Sequence, residues 1–145
     1  MLRKVIIGII LMLMVFSFTA NAQLEQWIPI VPPASQVELR YWRENDTSYI
    51  NVSIMFTSSG FRVSDWGTPT IIKNNISVDS EIWRWTGVDL PVIITIFHAY
   101  NLGILEAEEY TFTFKVWGFP VKNITFTVVG PFPWDVNGDG YVGID

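Results

Sequence analysis

Three oxygen-bearing side chains near the carboxyl end, Asp135, Asn137 and Asp139, stand two residues apart, followed by Gly140 and Tyr141. Alternate residues of a tightly wound loop turn their side chains to one side, so this spacing aims hard oxygens at a common centre. Calcium takes about six to eight such oxygens at roughly 2.3–2.6 Å. Gly140, the sixth residue of the run, suits a backbone driven to positive φ, and Tyr141, the seventh, presents its main-chain carbonyl. The competing reading is a solvated Asn-Gly/Asp-Gly turn.

Other chemistry-bearing residues are fewer. His98 is the only histidine and lies among apolar neighbours, with no Ser/Asp partner at a recognisable spacing, so a packed role is expected. Glu106, Glu108 and Glu109 contain the makings of a carboxylate pair for glycoside hydrolysis, but read better as the polar rim of a loop. Trp83 and Trp85 share one face of a strand, and Trp117 is expected on the outer face of a hairpin. Aromatic rings in a row stack on sugar rings, although packing is the commoner fate of tryptophan. No catalytic set emerges, and an enzyme is not expected.

The chain has 145 residues, 50% hydrophobic and 16% charged, which excludes a disordered tail and allows one domain with a real core. Residues 1–22 inflate the apolar figure. Arg3-Lys4, an uncharged run from Val5 to Phe16 and Ala20-Asn21-Ala22 describe a secretory signal peptide cut after Ala22. The run is shorter than the roughly 20 residues of a membrane-spanning helix, so no stable span is expected after cleavage. Of 9 basic residues two leave with this leader, against 14 acidic ones that stay, and the mature charge is near −7. Such a surface argues against nucleic acid and anionic lipid as partners. Cysteine is absent, so no disulfide supports the exported chain. Sequons begin at Asn45, Asn51, Asn75 and Asn123, which makes surface glycosylation an expectation wherever the host glycosylates.

Alternation locates the elements that must hold all this in place. Tyr110, Phe112, Phe114 and Val116 alternate with polar residues, a turn is expected at Gly118-Phe119-Pro120, and Ile124, Phe126 and Val128 return the pattern. Period two on both sides of a turn is an antiparallel hairpin. Val37 to Trp42 and Ile50 to Phe56 alternate likewise around the polar turn Glu44-Asn45-Asp46-Thr47. Phe61 to Val63 is a short piece. Thr70 to Val78 and Ile82 to Thr86 are expected strands divided by a turn at Asp79-Ser80. Val92 to Tyr100 is apolar on both faces and is expected to be central, closed by Asn101-Leu102-Gly103. Residues 23–35, with Pro29, Pro32 and Pro33, form a proline-rich lead-in lying on the domain, and 131–134 a linker.

Seven or eight short strands without an amphipathic helix predict an all-β sandwich over residues 36–130. Leu105 to Phe112 resembles the start of the penultimate strand in immunoglobulin-like and fibronectin-type antiparallel β-sandwiches, which implies that the Tyr110 hydroxyl bonds back to the preceding loop. Residues 135–145, Asp-Val-Asn-Gly-Asp-Gly-Tyr-Val onward, resemble an EF-hand calcium loop and, more closely, the first half of a dockerin. That resemblance implies Asp135, Asn137, Asp139 and Tyr141 as ligands and a cohesin-like scaffold or cell-surface protein as partner. In its register Gly143 falls where a ligand usually acts through water, and the twelfth position, the bidentate carboxylate, falls one residue past Asp145, so the chain is expected to continue and the loop as far as Asp145 to bind Ca2+ weakly. The expected role is secreted, non-catalytic adhesion, spacing or extracellular assembly. The alternatives are a carbohydrate-binding module of a polysaccharide-degrading system and a surface-fibre subunit whose residues 23–35 add to a neighbour's sheet.

Overall fold

The computed structural model describes residues 24–130, so the expected signal peptide and calcium loop lie outside the described residues. Nine strands follow in order: β1 (Trp27–Pro29), β2 (Val37–Glu44), β3 (Thr47–Phe56), β4 (Phe61–Asp65), β5 (Thr70–Ile72), β6 (Asn75–Trp85), β7 (Ile94–Ile104), β8 (Glu109–Val116) and β9 (Phe119–Thr127). The one helical piece among them is a 3₁₀ turn at Ala34–Gln36. The fold is an all-β sandwich. One sheet runs β2-β3-β7, and the other runs β1-β6-β8-β9 with β4 and β5 also on β6.

Its core is the set of residues that alternation turns inward. Ile50, Val52, Ile54 and Phe56 of β3 face Ile76, Val78 and Ile82 of β6 and Tyr110, Phe112, Phe114 and Val116 of β8, all nearly or fully buried. Aromatic pairs lock the layers together: Tyr41 stacks on Phe126 at 4.2 Å, and Phe56 on Phe61 at 4.7 Å. At one edge the Lys122 ammonium donates to the Val37 carbonyl at 2.6 Å, tying β9 to β2. Trp27–Pro29, within the proline-rich lead-in, pairs with β6 of its own sandwich.

Several expected details are corrected. Asp79 and Ser80 are not a turn but the middle of β6, because the Ser80 hydroxyl, fully buried, donates to the Trp66 carbonyl at 2.7 Å and is thereby satisfied inside. The turn lies instead at Lys73-Asn74, with Lys73 at φ 54°. β7 is not central: among the described residues it pairs with β3 alone, and its outward side leaves Phe97 72% exposed. Asn101-Leu102-Gly103 does not end it either. The strand passes through a bulge there and runs on to Ile104, with Gly103 at φ 76° and its N–H donating to the Asn101 side chain. The hairpin turn is Trp117-Gly118, both at positive φ, so Phe119 and Pro120 already belong to β9. Finally, β6 and β8 run parallel, joined through β7 in the opposite sheet, so the larger sheet is mixed rather than purely antiparallel.

Candidate functional site

Period two along β6 turns Trp83 and Trp85 to the outer face of the larger sheet, while Ile76, Val78 and Ile82 point inward. Pairing then brings further residues to that face. The register Trp27↔Trp85 places a third indole beside Trp85, with ring centroids 5.4 Å apart and planes inclined by 51°. The register Arg62↔Trp83 brings in a guanidinium, which lies 4.2 Å from the centre of the Trp27 ring. A cation over an indole face is attracted by its π-density and stiffens both side chains. Trp117, at the hairpin turn, meets Trp83 edge-to-face at 4.9 Å and 84°. It also donates its indole N–H to the Ile82 carbonyl at 2.9 Å, while Trp83 donates to Ser64 at 2.8 Å.

Trp83, Trp85 and Trp117 are therefore half-buried, and Trp83 and Trp117 meet edge to face rather than as a coplanar pair. Trp27 and Arg62 were not among the candidates. They join the face through strand pairing, and no local pattern in residues 23–35 or 61–63 signals it.

His98 packs by its ring, stacked on Trp66 at 5.1 Å and edge-to-face with Tyr100 at 4.7 Å. Glu106, Glu108 and Glu109 stay exposed around Tyr110, whose hydroxyl donates to the Glu106 carbonyl at 3.0 Å. That is the backward bond the corner resemblance implies. Burial pushes the Tyr110 phenol above its ordinary value, and the carboxylates of Glu108 and Glu106 add to the shift. Among the described residues no three acidic or histidine side chains converge to hold a metal.

The sequons occupy surface positions. Asn45 sits at φ 48° in the β2–β3 turn, Asn75 opens β6 and Asn123 lies on β9, all three exposed. Asn51 is half-buried on the outward side of β3, its amide donating to the Ser53 hydroxyl at 3.0 Å. Asp135, Asn137, Asp139 and Tyr141 lie outside the described residues, so their donor set is judged by its chemistry alone: hard oxygens only, as calcium requires. No helix among the described residues is long and apolar enough to cross a membrane.

No family model matches the chain, and no curated protein and no solved structure matches it significantly.

Proposed function

We propose that this protein is an exported, non-catalytic module in which an immunoglobulin-like sandwich carries a dockerin-like calcium loop, for adhesion, spacing or assembly outside the cell. The observation that carries the reading is Asp135-x-Asn137-x-Asp139-Gly140-Tyr141, directly after a proline- and aromatic-rich linker. Calcium would be held by the side-chain oxygens of Asp135, Asn137 and Asp139 and the carbonyl of Tyr141. Bound there, the ion neutralises carboxylates whose mutual repulsion otherwise keeps such a loop open. The partner is a cohesin-like or other cell-surface scaffold protein. Support for the immunoglobulin-like part comes from the Tyr110–Glu106 bond across the corner of β8. The strand-donating fibre is the weaker reading, since β1 is hydrogen-bonded into its own sheet.

Calorimetric titration of calcium into the full-length secreted protein tests the site. Saturable binding that is lost in the Asp135→Ala/Asp139→Ala double variant is expected. Equal heats from both proteins would remove the loop from the proposal.

A further inference from the structure

We propose that the cleft between the β3–β4 turn and the segment after β6 binds a neutral saccharide, one sugar ring lying against Trp27 and Trp85. The cavity has a volume of about 240 Å³ and is lined by Trp27, Ser59, Gly60, Trp85, Val88 and Asp89. That is below the roughly 300 Å³ at which drug-sized sites begin, so it fits one ring at a time.

Its walls are fixed before any ligand arrives. Ser59 donates its backbone N–H to the Leu90 carbonyl at 2.9 Å, and Leu90 returns an N–H to the Ser59 hydroxyl at 2.9 Å. The Trp85 backbone N–H donates to the Gly60 carbonyl at 2.7 Å. Ser58 donates its hydroxyl to Oδ2 of Asp89 at 2.5 Å. Gly60 is what allows that carboxylate its place: a Cβ there would stand 2.3 Å from Asp89 Oδ2. Among the described residues the other oxygen, Oδ1, has no hydrogen-bond partner, and neither does the indole N–H of Trp27, whereas the Trp85 indole nitrogen sits beside Gly87, where a Cβ would stand 2.4 Å from it and 2.7 Å from the Glu25 carboxyl carbon.

The chemistry on offer is two inclined indole rings, a free carboxylate acceptor and the Trp27 indole donor. A pyranose is the complement: an apolar C–H face to stack on indole, ringed by hydroxyls that donate and accept. The charges narrow the class. Asp89, the one charged side chain among the lining residues, repels an acidic sugar, and a hydroxyl of an uncharged ring donates to its free oxygen. The cleft is open on one side, which leaves room for the ring to belong to a longer chain. This proposal does not use the calcium loop, and either can fail while the other stands.

The test titrates the full chain with soluble hexasaccharides of β-1,4-linked glucose, xylose, mannose and N-acetylglucosamine and of β-1,3-linked glucose. Binding is followed by the indole N–H signals of the tryptophans in NMR spectra. At least one sugar is expected to give saturable shifts centred on Trp27 and Trp85. Asp89→Ala should weaken it at least ten-fold, Trp27→Ala should do the same, and Trp117→Phe should leave it unchanged. Circular dichroism checks folding, and if Trp27→Ala does not fold, Asp89→Ala alone decides. Saturation by none of the five sugars, shifts centred on Trp83 and Trp117, or affinity that survives Asp89→Ala would each overturn the proposal.

Discussion

The Trp66 carbonyl accepts two hydrogen bonds inside the sandwich, from the Ser80 hydroxyl at 2.7 Å and the Tyr100 hydroxyl at 2.6 Å. Either donor alone keeps that oxygen satisfied, so Ser80→Ala and Tyr100→Phe should each destabilise by only about 0.5–1.5 kcal/mol. Removing both strands the carbonyl, and the double variant should exceed the sum of the singles by about 1 kcal/mol in urea unfolding. Burial pushes the Tyr100 phenol up to about 12, with Asp65 adding to the rise and the Ser80 bond opposing it. The unfolded chain would ionise this tyrosine near pH 10, so its stabilising contribution is complete below about pH 10 and disappears as pH climbs towards 12. We expect the unfolding free energy from urea titrations to fall across that interval, by up to about 2–3 kcal/mol from this group, and Tyr100→Phe to flatten the fall. Tyr110 shifts in the same direction, and Tyr110→Phe should cost about 1 kcal/mol through loss of its bond to Glu106.

At the scale of elements, two glycines with the same φ of 76° make opposite demands. A Cβ on Gly67 would stand 2.1 Å from the Asp79 carbonyl oxygen in β6, whereas one on Gly103 would meet nothing within 4 Å. Gly103→Ala should therefore cost only the left-handed strain, about 1–2 kcal/mol. Gly67→Ala must also push the β4–β5 connection off β6 and should cost about 3 kcal/mol or more. Thermal unfolding of the two variants side by side checks the contrast. The same elements show how far local pattern reaches. The inward sets of β3 and β8 are readable residue by residue, because strand period and burial coincide there. The continuity of β6 is not readable, since Asp79-Ser80 looks like a turn until a distant acceptor, the Trp66 carbonyl, appears beside Ser80. β7 misleads for a related reason: its apolar outer residues suggest a central strand, yet among the described residues no further strand pairs with its free edge.

For the whole molecule, all the proposed calcium ligands follow Trp134, whereas every described strand precedes Gly130. The unfolding temperature of the sandwich should accordingly be the same with calcium and with chelator, even where calorimetry registers binding at the loop. Circular dichroism at strand wavelengths separates the two, and a calcium-dependent shift of the sandwich transition would mean that loop and sandwich are energetically coupled.

By itself the sequence settles the inward-facing residues of the main strands and the sandwich class, because alternation is a local property of a half-buried strand. It also carries the spacing of Asp135, Asn137 and Asp139, since ligand order within one loop is local. Tertiary structure alone decides that β6 and β8 lie parallel and that β7 is an edge. It alone brings Trp27, Ser59-Gly60 and the stretch from Trp85 to Asp89, three separate segments, to one cleft. Those are outcomes of pairing between segments distant in sequence, where the free energy lies in contacts that no single stretch of chain contains.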